Sequence, residues 1–157
     1  GESSFQPFRT VNLRVDGRGC LKIAGLITGN EWVQTNDIIT LNSDATFDLK
    51  GRFDRVINSA GRKVHPEELE KFIDAQSDKP DSFFIEALDD EVFGQQVCLF
   101  FIGDWSTHMQ SSIGSLLRNH FESWQLPKQY IHLDEFQFTS SGKIDRLKSV
   151  ALYLKSI

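Results

Sequence analysis

A lysine in a short polar turn is the residue of this sequence best suited to chemistry. Lys143 follows Gly142 in the segment from Thr139 to Arg146 (TSSGKIDR), whose small polar residues predict a tight turn. A lysine ammonium is a compact charge with three donors, suited to a carboxylate or phosphate oxygen that gains charge in a transition state. The alternative is a solvated lysine beside a helix start. The segment is not a Gly-x4-Gly-Lys-Ser/Thr phosphate loop, because no first glycine precedes it at the required spacing.

A second segment, residues 51–70, combines glycines, charges and a helix start. It reads GRFDRVINSAGRKVHPEELE. Gly51 permits unusual backbone, Arg52 can bind hydroxyls or phosphate through its forked guanidinium, and Asp54 can accept hydrogen bonds from nearby amides. These properties suit a hinge between a β-rich part and a second domain. The alternative, from the residues alone, is the charged end of a hairpin.

Together the two segments resemble the carboxy-terminal signature of the adenylate-forming superfamily. The first pattern is Gly-Arg-x-Asp-x-x-Ile-x-x-x-Gly-x-x-Val-x-Pro-x-Glu-x-Glu, and Thr-x-Ser-Gly-Lys-Ile-x-Arg follows it about 70 residues later. Matches extend in order over residues 33–148. The superfamily contains acyl-CoA synthetases, peptide-synthetase adenylation domains and luciferases. Two motifs in the correct order are much more specific than either motif alone.

The resemblance implies roles for residues near a nucleotide. Lys143 matches the family's catalytic lysine, which binds acyl and phosphate oxygens during adenylation. Arg52 matches an arginine that contacts the nucleotide. Asp37 lies in a segment like the family's Thr-Gly-Asp, whose aspartate accepts from the ribose hydroxyls of ATP. Asn36 stands where the family has glycine; because Asn shares much of glycine's tolerance for left-handed backbone, we expect the turn to persist.

Further implied roles concern the second step of the family's reaction. Asp54 matches the hinge residue about which the carboxy-terminal domain swings. Gly61 matches the glycine beside which the pantetheine arm of CoA threads. Lys63 occupies a position that is basic in many relatives, where it can approach phosphate. At Gln137 and Phe138 the family usually has proline and a basic residue, so a flanking charge is missing here.

The resemblance implies an enzyme in the complete protein and an inactive fragment in this chain. A carboxylic acid would be adenylated by ATP, with magnesium on the phosphates, and its acyl group passed to coenzyme A. ATP and magnesium would be bound mainly by a large amino-terminal domain. Residues 33–38 and 56–61 are similar to o-succinylbenzoate-CoA ligases of menaquinone synthesis. The alternatives are an adenylation domain serving a carrier protein in peptide or siderophore assembly, and a non-catalytic binding module with the same fold.

Two parts of different character must position these residues. Residues 1–50 predict two hairpins, the first around the turn 16–19, and would bury too little surface alone, so we interpret them as a β-rich remnant of the larger domain. We predict a hinge at residues 51–55, where Gly51 breaks the strand pattern. Residues 56–157 are then a carboxy-terminal cap domain.

The cap domain is predicted to be α+β, with a small mixed sheet of about three strands flanked by helices. Pro66 suits the first position of one helix. A second helix begins at Ser106 or Thr107, has Trp124 on its apolar face and ends before Pro127. Apolar runs predict the strands at residues 83–88, 97–102 and 130–133. A third helix has on one face Leu147, Val150, Ala151 and Leu154.

The composition favours a soluble, cytoplasmic protein. The net charge of -5 offers no general attraction to nucleic acid, and no apolar stretch reaches the roughly 18 residues that span a bilayer. Cys20 and Cys98 lie in apolar runs and predict reduced packing residues. The four histidines lack the spacing of metal ligands, so we expect no metal site. The chain begins at Gly1 without an initiator Met, so we expect a fragment of a longer protein.

Overall fold

Two units divide the chain, Gly1–Val56 and Ile57–Ile157. The computed structural model describes residues 4–76, 82–92 and 94–157. Within these residues the first unit has β-strands and two short 3-10 turns, and the second combines a sheet with three helices. Within the described residues no helix is long and apolar enough to cross a membrane.

The first unit is a four-stranded antiparallel sheet in the order β1-β2-β3-β4. Its strands are Val11–Val15, Cys20–Gly25, Val33–Leu41 and Phe47–Arg52. The hairpin predicted around residues 16–19 is confirmed, and the Asp16 carboxylate orders its turn by accepting from the backbone N–H groups of Arg18 and Cys20, both at 2.8 Å. The first of these bonds closes an Asx-type turn, a frequent role of aspartate in tight turns.

Gly51 does not break the strand pattern, which corrects the sequence-based expectation. β4 continues through Gly51 to Arg52, with Gly51 paired to Ile38 of β3. The register shifts between Ile38 and Ile39, so a bulge lies next to this pair. Gly51 has a φ of 153°, a value that a side chain would oppose. The glycine therefore accommodates the bulge and allows the strand to continue.

The second unit is α+β, as predicted, and its described residues form a mixed sheet of five strands. The strands are β5 Ile57–Ser59, β6 Arg62–Val64, β7 Phe83–Asp90, β8 Gly94–Phe101 and β9 Gln129–His132. Their order is β6-β5-β8-β7, and β9 pairs with β8 in parallel while the other pairs are antiparallel. The expectation of about three strands was too low because residues 57–64 of the first motif form the β5–β6 hairpin.

The described part of the second unit also contains three helices, α1 Pro66–Asp74, α2 Thr107–His120 and α3 Arg146–Ser156. Pro66 is the first residue of α1, as predicted. Ser106 caps α2 by accepting from the backbone N–H of Met109 at 3.2 Å. α2 ends at His120 and not beyond Trp124, because Phe121 already has extended backbone; Trp124 still packs against the core.

The apolar face predicted for α3 is only partly buried. Val150 is 7% exposed and lies in the core, whereas Leu147 and Leu154 are 75% and 51% exposed. The helix instead turns a mixed face inward, with the small polar Ser149 beside Val150. The sequence spacing located the helix correctly but not the side that packs.

Strands β7 and β8 are covered on both faces, which explains their continuous apolar runs. Alternate side chains point to opposite faces. Phe83, Ile85 and Leu99 pack with α1 and α2, whereas Phe84 and Phe100 pack with α3 and the segment after β9. The second unit therefore has two apolar clusters separated by one sheet.

Neighbouring leucines of α2 provide a test of this packing. Leu117 is fully buried and Leu116 is 36% exposed. Leu117→Ala should lower the free energy of unfolding by about 2–5 kcal/mol, because it removes core contacts and leaves a cavity. Leu116→Ala, the matched control, should lower it by less than about 1 kcal/mol. Urea denaturation measures both values, and equal losses would contradict the assigned face.

Candidate functional site

Lys143 lies in a tight hairpin that its own segment closes. Phe138 and Ile144 form an isolated antiparallel bridge. Between them the Thr139 N–H donates to the Lys143 carbonyl at 2.8 Å, and the Gly142 N–H donates to the Thr139 carbonyl at 3.0 Å. Gly142 has a φ of 78°, which favours glycine. The polar turn predicted from the sequence is therefore confirmed, and we refer to residues 137–145 as the Lys143 hairpin.

The tip of the Lys143 hairpin is solvent-exposed. Lys143 is exposed. Within residues 4–76, 82–92 and 94–157 its ammonium has no hydrogen bond or ion pair. The backbone is more constrained, since the Lys143 N–H donates to the Thr139 hydroxyl at 3.2 Å and that hydroxyl shares a 3.0 Å hydrogen bond with Ser141. The amine is thus available to a ligand while its backbone is fixed.

The base of the hairpin is anchored to α3 by partly buried hydrogen bonds. The Gln137 N–H donates to the Ser149 hydroxyl at 2.9 Å, and that hydroxyl donates to the Asp145 carbonyl at 2.8 Å. The Asp145 N–H in turn donates to the Gln137 carbonyl at 2.7 Å. Ser149 is 2% exposed, and Ile144 packs against the apolar cluster on the α3 side. The Asp145 side chain also caps α3 through the Lys148 N–H.

Arg52 lies between two carboxylates in the first unit. Its Nε and one terminal nitrogen donate to the two oxygens of Asp54 at 2.9 and 2.7 Å, a bidentate pair. Its other terminal nitrogen is 3.7 Å from Asp37 Oδ1. Arg52 and Asp37 are also register partners across β3 and β4. The structure therefore brings together Asp37, Arg52 and Asp54.

Asp37 is carried on a strand irregularity and not on a turn. Residues 35–37 of β3 face Leu21 of β2 at a shift in register, and the Thr35 hydroxyl donates to the Leu21 carbonyl at 2.9 Å. Asn36 is part of this strand and does not have positive φ. The expectation of a glycine-like turn at Asn36 was therefore wrong, because a bulge redirects the side chains without left-handed backbone.

Asp54 lies in the segment that joins the two units, and its side chain is paired with Arg52. Phe53–Arg55 form a 3-10 turn immediately after β4, and Asp54 is exposed. Hydrogen bonds from Arg52 hold the pKa of Asp54 below its ordinary value, although burial raises it; the charge of Arg52 and a hydrogen bond from Asn36 lower this pKa further. The Arg52 guanidinium therefore favours the ionised form of the Asp54 carboxyl and lowers its pKa. The segment 53–55 is not a buried strand.

Gly61 and Lys63 lie in the β5–β6 hairpin of the second unit. Ala60 and Gly61 form its turn with φ of 51° and 74°. A Cβ atom at Gly61 would meet no atom within 4 Å, so the space immediately beside it is open. Lys63 is exposed and is the register partner of Asn58, and Arg62 lies over the Trp124 ring at 5.3 Å. These residues sit on a different loop from Lys143.

The cysteines and histidines contribute no metal site in the part of the chain that the structure describes. No group of three or more His, Cys, Asp or Glu side chains gathers there. Cys20 and Cys98 are both buried and unpaired. Burial raises the pKa of the Cys98 thiol to about 12, so it is neutral and unreactive at physiological pH.

Sequence reasoning gave no role to Glu70, Ser149 or Arg146, although Glu70 and Arg146 lie in the quoted motifs. Arg146 and Glu70 form a partly buried ion pair in which both guanidinium terminal nitrogens donate to the carboxylate. The only available signal was that each residue is the last charged position of its motif. The pairing joins residues 76 positions apart and cannot be read from local spacing.

The chain is similar in sequence to a putative CoA ligase and to a bacitracin synthase. It is 28% identical over 129 residues to the "Putative long chain fatty acid-CoA ligase VraA" of Staphylococcus aureus, covering 82% of this chain and 28% of VraA. It is 26% identical over 112 residues to bacitracin synthase 3 of Bacillus licheniformis, covering 71% of this chain and 2% of that protein. The chain thus spans less than a third of the length of either relative. No protein-family model matches it.

Solved structures of adenylate-forming enzymes share the fold. An acyl-CoA synthetase (AMP-forming)/AMP-acid ligase II-like protein from Dyadobacter fermentans is 26% identical, with a TM-score of 0.60 over 97% of this chain and 44% of that one. The anthranilate CoA ligase AuaEII, in complex with anthranoyl-AMP, has a TM-score of 0.79 at 17% identity, over 97% and 35% of the two chains. R195K MenE of E. coli with bound OSB-AMS has a TM-score of 0.72 at 16% identity, over 97% and 36%.

The relatives and the structural neighbours are AMP-forming acid-CoA ligases and adenylation enzymes, which define the class. The chain is similar in sequence and in fold to part of these enzymes. The α+β fold of its second unit agrees with that similarity.

Titration of Asp54 tests the electrostatics of the first unit. We expect the pKa of Asp54 to lie below 3.8, the value of an unperturbed aspartate, and to rise toward it in Arg52→Gln. Because the folded-state pKa is lowered, the pair stabilises the fold above about pH 4 and this contribution is lost as the pH falls through the folded-state pKa. NMR titration of the carboxyl carbon measures both values.

The matched control for this titration is Arg14→Gln. Arg14 lies over the Trp32 ring in the same unit, so its loss should leave the Asp54 pKa unchanged. An Asp54 pKa at or above 3.8 in the unaltered chain would contradict the assigned pairing.

Proposed function

We propose that the complete protein is an ATP-dependent acid-CoA ligase and that this chain provides the domain that closes over its reaction. The complete enzyme would first join a carboxylate to the α-phosphate of ATP, releasing pyrophosphate and leaving an acyl-adenylate. The CoA thiol would then attack the acyl carbon and release AMP. The observation that carries the proposal is the exposed ammonium of Lys143 on an anchored hairpin.

In the first step, Lys143 would bind the oxygens that gain charge. The carboxylate and the phosphate both concentrate negative charge near the bond that forms, and an ammonium aimed at them lowers the energy of that arrangement. The described part of the chain offers no competing carboxylate within ion-pair distance of this amine. Because hydrogen bonds hold the backbone of the Lys143 hairpin, the lysine side chain would have fewer orientations to sample before it reaches the reacting oxygens.

Asp37 and Arg52 are the proposed nucleotide contacts of the first unit. The side chain of Asp37 is 38% exposed and that of Arg52 is 49% exposed, so both can reach a ligand. The Asp37 carboxylate would accept from ribose hydroxyls, and Arg52 would face an anionic or hydroxyl oxygen while Asp54 holds its fork in place. Magnesium would travel with the ATP phosphates, as it commonly does.

In the second step, we propose that the cap domain rotates about Asp54 and presents the β5–β6 hairpin to the thiol. Asp54 lies two residues before the end of the first unit, in a short exposed 3-10 turn. The open space beside Gly61 suits a narrow pantetheine arm, and the exposed Lys63 is available to phosphate of CoA. The two free, buried cysteines fit a reducing compartment, so a cytoplasmic location is part of the proposal.

We propose o-succinylbenzoate as the acid, supported by the similarity of residues 33–38 and 56–61 to ligases for that substrate. The fold match to MenE with bound OSB-AMS is consistent with it. The second candidate is an adenylation domain that loads a carrier protein, which the similarity to bacitracin synthase 3 favours. Thioester formation with free CoA as opposed to a pantetheine-bearing carrier protein separates the two.

Lys143→Ala in the complete protein tests the first step. We expect ATP-pyrophosphate exchange to fall by about 10²–10³-fold, a loss of about 2.7–4 kcal/mol, because one charge-stabilising donor is removed. Thioester formation from a supplied acyl-adenylate should fall by less than about 10-fold. The acid is chosen from a panel of carboxylic acids that includes o-succinylbenzoate. Lys155→Ala, an exposed lysine at the other end of α3, is the control. Equal losses in both steps would contradict the role of Lys143.

Gly61→Leu tests the second step. The side chain would enter the open space beside the hairpin, so thioester formation should fall by at least about 10-fold while pyrophosphate exchange changes by less than about 3-fold. Gly103→Leu is a closely matched control, since Gly103 has the same φ of 74° and also meets nothing within 4 Å. Similar losses in the two variants would show that backbone strain, and not obstruction, causes the effect.

A further inference from the structure

The ion pair between Glu70 and Arg146 joins three elements of the second unit. Arg146 is the first residue of α3, and Glu70 lies in α1. Both Arg146 terminal nitrogens donate to Glu70, and the same Glu70 Oε1 accepts from the backbone N–H of Ile85 in β7 at 2.7 Å. The side chains of Arg146 and Glu70 are only 25% and 12% exposed. The Arg146 guanidinium also lies over the ring of Phe84, at 5.6 Å from its centroid.

This ion pair passes around the edge of the sheet. In the described residues β7 is the last strand of the order β6-β5-β8-β7, so its outer N–H groups lack a strand partner. α1 packs on the Ile85 face of β7 and α3 on the Phe84 face. Glu70 therefore satisfies an edge N–H and at the same time holds Arg146, which links the helices on the two faces.

Interactions within its own helix do not explain why an arginine occupies position 146. A cation in the first turn of a helix is opposed by the helix dipole, and partial burial of a charge carries a desolvation cost. The position is nevertheless occupied by an arginine whose planar fork matches the carboxylate. Arg146 follows Lys143 by three residues and Asp145 by one, and Asp145 closes the base of the Lys143 hairpin.

We propose that the Glu70–Arg146 pair is a positioning device for Lys143, a role that rests on the proposed function. By holding the start of α3 against α1 and β7, the pair fixes the base of the Lys143 hairpin and thereby the direction in which the lysine stem projects. Neither residue needs to touch the substrate. The two sequence motifs are then parts of one unit, because the last charged residue of each motif binds that of the other.

The test uses the complete protein with Glu70→Gln, Arg146→Gln and the double variant, and Arg146→Lys as the conservative change. For both single variants we expect the kcat of ATP-pyrophosphate exchange to fall by at least about 10-fold, with the KM for ATP changed by less than about 2-fold, since misplacement of a reacting group lowers the rate more than binding. Thioester formation from acyl-adenylate should change by less than about 3-fold. ATP-pyrophosphate exchange in the double variant should be no slower than in the slower of the two single variants, because both substitutions remove the same interaction.

Arg118→Gln is the matched control, since it makes the same substitution at an arginine whose guanidinium donates to Ser115 within α2. Amide hydrogen exchange provides a local readout: the N–H groups of Lys143 and Asp145 should exchange faster in Arg146→Lys and unchanged in Arg118→Gln. This readout remains usable if a glutamine variant does not fold.

Two results would overturn the positioning role. One is an equal loss in both half-reactions, in proportion to the folded protein that is lost. The other is unchanged pyrophosphate exchange in Glu70→Gln and Arg146→Gln. The Lys143→Ala variant separates this failure from that of the proposed function. If Lys143→Ala slows ATP-pyrophosphate exchange and the Glu70 and Arg146 variants do not, only the positioning role is contradicted. Normal ATP-pyrophosphate exchange in Lys143→Ala would contradict the proposed function itself.

Discussion

Burial of β7 and β8 on both faces is the constraint on which the second unit depends. Alternate side chains of these strands supply two apolar clusters, so helices must cover both sides of the sheet. α1 and α2 occupy one side, and α3 with the segment after β9 occupies the other. The Lys143 hairpin is attached to α3 through Ser149 and Asp145, so its location follows from how that side is packed.

Electrostatic organisation differs between the two units. In the first unit a single guanidinium, Arg52, is shared by two exposed carboxylates on neighbouring elements. In the second, the Glu70–Arg146 ion pair is partly buried and joins elements that are distant in sequence. Exposed pairs contribute little to stability and can exchange partners, whereas buried pairs resist disruption because an isolated buried charge is costly. This difference fits ligand contact in the first unit and fixed geometry in the second.

Local signals made parts of the fold predictable from the sequence. Pro66 at a helix start, the Asp16 turn and the glycine-lysine turn at Lys143 all depend on neighbouring residues, and the structure has each of them. Gly51, Asn36 and the exposed leucines of α3 were interpreted wrongly because a bulge or a packing partner elsewhere decides their environment. The Glu70–Arg146 pair could not be predicted, since nothing near either residue identifies its partner. The roles of the site residues follow from resemblance and stay predictions.

The hydrogen bonds that hold the backbone of the Lys143 hairpin reduce the conformational entropy that is lost when the lysine binds a ligand. Ordering a flexible backbone costs about 1–2 kcal/mol for each residue, and a mobile loop would incur that cost whenever it met a ligand. Here the backbone is already ordered before any ligand is bound. The conformational entropy lost on engagement is then confined to the lysine side chain, about 2 kcal/mol. A single ionic contact in a water-poor environment is strong enough to offset that loss, so the lysine can engage and release its target repeatedly.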